Sequence, residues 1–175
     1  KLFKLLAKPL QIFERKEIKE KAVRASNAPI ILFGYHRGGH EFLQTFRDMK
    51  QRYLVVDYDP GVIEHLENQG IHHAYGDATD EEFLEEIDAT KAKLVVSTIT
   101  NIDHNRALLK FIHRRGPATV FICHANTYDE AAELYRYGAS YVILPHFLGS
   151  ERVSSFIKRN GFDAEAFDNY RNKHI

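Results

Sequence analysis

The chain alternates short, continuous apolar runs with longer stretches in which apolar residues recur at helical spacing. Ile30-Ile31-Leu32-Phe33 is uninterrupted and too short for a helix, the mark of a strand buried on both faces. Similar runs stand at 53–57, 94–98 and 119–123, with shorter ones at 71–75 and 141–145. Between them, Phe42, Leu43 and Phe46 predict a helix over 40–50, and Pro60 with Gly70 bound a second over 60–69. Thr79-Asp80-Glu81-Glu82 has the form of a capping box, with Phe83, Leu84 and Ile87 facing inward after it. Further helices are expected over 103–115 and 129–137, the latter stopped by Gly138. Strands alternating with helices at this spacing predict an α/β fold. Its form is a doubly wound parallel sheet of Rossmann type, in three layers, over residues 29–146. A basic helical lead-in over 1–28 precedes it, and a C-terminal helical extension over 147–175 follows.

Composition changes this picture in one respect. The 175 residues carry 24 Lys+Arg against 24 Asp+Glu, and the pI near 7.3 argues against a nucleic-acid binder. Residues 1–24, however, hold eight bases and three acids, whereas 77–88 hold seven acids and no base. The basic segment reads as an amphipathic surface helix or as a juxtamembrane connector whose lysines lie beside anionic lipid. The acidic one reads as a solvated face or a docking surface for a basic partner. The single cysteine, Cys123, excludes an internal disulfide framework and sits in an apolar strand as a core residue. No apolar run approaches the ~18–20 residues of a membrane span. A start at Lys1 without a signal-peptide pattern reads as a piece of something longer.

The first strand runs into Gly34-Tyr35-His36-Arg37-Gly38-Gly39 and then a helix, the setting in which a glycine-rich turn cradles a phosphate. Asp57 ends the second strand 23 residues after Gly34, where an acid accepts hydrogen bonds from ribose hydroxyls. Gly76-Asp77-Ala78-Thr79 follows the third strand, where Asp77 faces a ligand crevice or charges the first turn of the next helix. These positions suggest an adenine-nucleotide site, the alternative being a vestigial loop that keeps the fold and binds nothing. His36 and His40 have the i, i+4 spacing of a metal pair, but no third ligand is assignable and no metal is expected.

Five blocks in this order resemble the RCK domain, also called the TrkA-N or KTN domain. They are the glycine loop, Val55-Val56-Asp57-Tyr58-Asp59-Pro60, Tyr75-Gly76-Asp77-Ala78-Thr79-Asp80, Asp103-His104-Asn105 and Gly138-Ala139-Ser140-Tyr141-Val142-Ile143. The lead-in Pro9-Leu10-Gln11-Ile12-Phe13-Glu14-Arg15-Lys16 is similar to the segment after the last membrane helix of monovalent cation:proton antiporter-2 transporters, a group that includes the glutathione-regulated potassium-efflux systems. The resemblance implies a cytoplasmic regulatory domain, at the inner face of the plasma membrane, that dimerises and binds AMP, ADP, ATP or NAD(H). Ligand binding would shift the activity of an attached potassium or sodium transporter.

Carried onto this sequence, the implied nucleotide-binding residues are Gly34, Tyr35, His36, Arg37, Gly38 and Gly39 in the phosphate loop. Beyond the loop they are Asp57 and Tyr58, Gly76, Asp77 and Ala78, Thr98 and Ile99, and His124. Two residues depart from the pattern: His36 replaces the second glycine, and His124 stands where the family often has arginine. A side chain at His36 crowds the approach of a pyrophosphate, which favours a mononucleotide over NAD. The implied partners are a second copy of the chain and a membrane transporter domain, with residues 1–24 near the membrane surface. No catalytic residues are expected. The competing readings are a nicotinamide-dependent oxidoreductase and an oligomerisation module with a degenerate loop. The first would need a proton donor, yet only 29 residues follow the sheet and no Tyr-x-x-x-Lys pair occurs.

Overall fold

The computed structural model describes residues 27–36, 38–115 and 118–173. Residues 1–26 of the basic lead-in over 1–28, and Arg37 of the glycine loop, therefore lie outside the described residues. The chain divides after Ile143 into two compact units.

In the first unit the strands are β1 (Ile30–Phe33), β2 (Tyr53–Asp57), β3 (His73–Tyr75), β4 (Leu94–Ser97), β5 (Val120–His124) and β6 (Tyr141–Ile143). They form one parallel sheet in the order 3-2-1-4-5-6. The connecting helices are α1 (Gly39–Asp48), α2 (Pro60–Asn68), α3 (Glu81–Glu86), α4 (Ile102–Ile112) and α5 (Tyr128–Arg136). Both faces of the sheet are covered, as the unbroken apolar runs require. Ile30, Leu32, Val55 and Val96 pack with Leu43 and Phe46 of α1 and Val62 and Leu66 of α2. Residues of the opposite parity, Ile31, Phe33, Leu54, Val56 and Val95, are equally buried. At about 1.5–3 kcal/mol for each such side chain, these central strands dominate the unit's stability. Cys123 belongs to this core, and burial pushes its thiol up to about 12, so it is inert.

Polar details set where the helices begin and the sheet ends. The capping box expected to open at Thr79 is replaced by a simple cap one residue later, with Phe83 at the third helical position in place of an acid. The carboxylate of Asp80, a stronger acceptor than a hydroxyl, takes the N–H groups of Glu82 (3.0 Å) and Phe83 (3.3 Å), while the Thr79 hydroxyl donates to Asp77 (2.8 Å). Much of the acidic stretch is used in this way: Asp77 and Asp80 organise turns, Asp88 pairs with Lys91 (2.7 Å) and Glu81 with Arg114 (2.6 Å). At the edge strand β6, the N–H of Val142 donates to the Tyr135 hydroxyl on α5 (3.0 Å).

The second unit begins at Leu144, three residues before the helical extension expected over 147–175. It holds two helices, α6 (Pro145–Asn160) and α7 (Ala164–Asn172). Pro145 starts α6 because its fixed φ suits a first helical turn. Gly161, at φ 55°, breaks the helix, and Asp163 caps α7 through the N–H groups of Glu165 (3.0 Å) and Ala166 (3.3 Å). Phe156 meets Phe167 edge to face and lies against Tyr170, both with ring centroids 5.0 Å apart. Phe147, Leu148, Val153, Ile157 and Phe162 remain exposed.

Candidate functional site

The strand order reverses between β1 and β4, so the chain leaves these neighbours in opposite directions and a crevice opens beyond their carboxyl ends. A cavity of about 500 Å³ lies there, a size suited to a small-molecule ligand. Its walls come from the turns after β1, β2, β3 and β4.

The turn after β1 is built around Gly34, at φ 85°, whose N–H donates to the Val56 carbonyl (2.9 Å). A Cβ there would collide with the Thr98 hydroxyl, and a Cβ at Gly39 would collide with the Gly34 carbonyl oxygen. Glycine is thus needed once for backbone sign and once for the close approach of helix to strand. Gly38, the N-cap of α1, contributes no side-chain cap to the dipole end of that helix, whose first turn carries Glu41.

Asp57 binds the first two turns together. One carboxylate oxygen accepts the N–H of Tyr35 (3.0 Å), and the other accepts the N–H of Asp59 (3.0 Å). Each oxygen keeps further acceptor capacity and Asp57 lines the cavity, so the group can still accept from a ligand hydroxyl. Asp59 in turn caps α2 through the N–H of Gly61 (2.8 Å). Asp77 fixes the turn after β3 by accepting both the N–H and the hydroxyl of Thr79, each at 2.8 Å. The fourth wall begins at Thr98, whose N–H donates to the Phe33 carbonyl (2.9 Å), and ends at Asn101, the cap of α4.

Of the residues implied by the sequence, the cavity brings together Gly34, Tyr35, His36, Asp57, Tyr58, Gly76, Asp77, Ala78, Thr98 and Ile99. Gly38 and Gly39 stand behind it in the start of α1, and Arg37 lies outside the described residues. His124 does not line it. The last residue of β5, it is buried, and desolvation lowers its imidazole below the ordinary value, so it stays neutral near pH 7 rather than offering a cation to a phosphate. The cavity also takes in Phe33, Val56, Asp59, Thr100, Asn101 and His104, none of which was singled out as a site residue. Thr100, Asn101 and His104 carry no glycine signature; the rule that ligands sit beyond strand carboxyl ends would have found them after β4. Among the described residues no group of three or more metal-ligating side chains occurs.

The family model of the TrkA-N domain matches residues 30–145. Among curated proteins, the glutathione-regulated potassium-efflux system protein KefC of Cronobacter sakazakii is 28% identical over 143 residues, which is 82% of this chain and 22% of that protein. KefC of Escherichia fergusonii is 29% identical over 128 residues, 73% of this chain and 20% of that protein. The chain thus spans about a fifth of the length of these relatives. Among solved structures, the TrkA-N domain of the inner membrane protein ybaL from Escherichia coli superposes with a TM-score of 0.67 at 20% identity, covering 73% of this chain and 96% of that one. The Kef CTD of Shewanella denitrificans in its AMP-bound form gives 0.63 at 19% identity, covering 83% and 90%. The GsuK channel bound to NAD gives 0.60 at 21% identity, covering 69% and 22%. These superpositions carry the fold.

Proposed function

The chain belongs to the TrkA-N domain family, and on that premise we propose that it is the ligand-sensing regulatory domain of a monovalent cation/proton antiporter. Its ligand in this reading is an adenine nucleotide, AMP, ADP or ATP in preference to NAD(H). The observation that carries the reading is the cavity at the strand-order reversal, with Asp57 at the tip of β2 and the start of α1 beside it. Asp57 would accept from the ribose hydroxyls, and exposed Tyr58 offers its ring face to a base. The glycine turn and the amino end of α1 suit a phosphate. His36 lines the cavity at the middle-glycine position, where it crowds a dinucleotide bridged through its pyrophosphate and favours a mononucleotide, AMP above all. The AMP and NAD named for structural relatives support the same ligand class.

The role is regulatory rather than catalytic, supported by relatives described as potassium-efflux systems and a channel. Nucleotide would act by binding one arrangement of a homodimer more tightly than another, with the attached membrane domain responding to the shift. The exposed apolar residues of α6 support association of two copies. The domain would sit at the cytoplasmic face of the plasma membrane, with residues 1–24 against anionic headgroups. Thermal shift with AMP, ADP, ATP, NAD+ and NADH tests the ligand, because whatever binds the native state raises its apparent stability. Stabilisation by the mononucleotides at millimolar concentration is expected; none by any of the five would sink the nucleotide reading. Sedimentation velocity should find a dimer, and a monomer at tens of micromolar with AMP present would sink that part.

A further inference from the structure

Asn105 is fully buried on the inward side of α4 and does not line the cavity. Its Oδ1 accepts from the Ser97 hydroxyl (2.6 Å), and its Nδ2 donates to the carbonyls of Ile99 (2.7 Å) and His124 (3.1 Å). Both amide protons are therefore spent on joining the turn after β4 to the end of β5. Ile99 belongs to the cavity wall after β4, and His124 ends β5. Asn126 repeats the connection one step outward, its Nδ2 donating to the carbonyl of Thr100 (3.1 Å). Two successive carbonyls of the cavity wall are thus each held by an amide from a later element of the chain.

Resting on the nucleotide reading above, we propose that Asn105 is a positioning residue for the cavity. It fixes the Ile99–Thr100 wall to the carboxyl end of β5 and so sets the width of the crevice beside the glycine turn. An apolar residue of similar size would fill the space but leave the Ile99 and His124 carbonyls without this donor. An aspartate would have no donor when ionised and one when protonated.

The test uses Asn105→Leu and Asn105→Asp in the full 175-residue chain, with Thr119→Val as a control. Thr119 donates to the Ala92 carbonyl (2.7 Å) at the other end of β5, so its loss removes a buried hydrogen bond far from the wall. Hydrogen exchange without nucleotide should show faster exchange over residues 98–101 in both Asn105 variants, with β1 unchanged and the control unaffected there. AMP affinity should fall at least tenfold in Asn105→Leu, and the deficit of Asn105→Asp relative to the unsubstituted protein should shrink as pH drops from 8 to 5.5. Thr119→Val should lower the denaturation midpoint and keep its affinity. Unchanged exchange over 98–101 would overturn the proposal, as would affinity that merely tracks stability across all three variants. Asn126→Ala, at an exposed position, gives a smaller effect in the same direction and serves if the buried variants fail to fold. If the unsubstituted protein bound no nucleotide, the reading of the site would fall, while exchange alone would still decide whether Asn105 tethers the wall.

Discussion

Replacing Asp57 by alanine separates two jobs that one carboxylate performs. In the free protein it accepts from the N–H groups of Tyr35 and Asp59, both at 3.0 Å and neither deeply buried, so water can substitute after the change. The stability loss should therefore be modest, about 1–2 kcal/mol for the two bonds together. Toward a nucleotide, the same group would take two ribose hydroxyls. At about 1.5 kcal/mol for each bond to a charged acceptor, the loss is about 3 kcal/mol, or roughly 100-fold in Kd. Loosening of the glycine turn adds to this and must be separated from it. Calorimetric titration with AMP and with its 2′,3′-dideoxy analogue does so, because only AMP can lose the hydroxyl contacts. AMP should weaken roughly 100-fold in Asp57→Ala and the analogue less than tenfold. Equal weakening of the two ligands, or a change of less than threefold for AMP, would refute the ribose contact.

Three further outcomes follow from the same geometry. Gly34→Ala places a Cβ at φ 85° and against the Thr98 hydroxyl, so the melting temperature should fall; adding Thr98→Ala should restore only part, since the backbone strain of about 1–2 kcal/mol remains. His36→Gly should raise the affinity for NAD+ relative to AMP, read by calorimetry, and an unchanged ratio would show that this side chain does not select between them. Because burial lowers the imidazole of His124, the unfolded chain binds more protons than the native one below the ordinary value of 6.5. Stability should thus decline as pH falls through that region, and His124→Gln should flatten the urea-midpoint profile there.

The parallel sheet was legible because strands buried on both faces must be apolar throughout, and 30–33 and 53–57 match their observed bounds. The positions of Gly34 and Asp57 were legible because backbone sign and strand-end placement restrict the residue types allowed. Chemistry that depends on contacts distant in sequence was not. Asp80 rather than Thr79 takes the cap, while the Thr79 hydroxyl is turned toward Asp77. Asn105 shares the inward side of α4 with Leu108, Leu109 and Ile112, and a lone amide among leucines announces a buried bond without naming its partners. The break at Gly161 was hidden in a polar stretch where Asn160-Gly161 and Asp163 were the available signals.

The Tyr135 hydroxyl has a consequence for how copies of this domain can meet. β6 is only three residues long, and its Ile143 carbonyl is taken by the N–H of Ala125 (2.9 Å), the residue after β5. The outward donor at the strand's centre is the N–H of Val142, and the phenol already occupies it. An incoming strand would find that amide taken and would have to displace the phenol to pair with it. On this edge the phenol keeps the central amide of β6 out of pairing with a further strand, one of the ways an exposed sheet edge is blunted against addition.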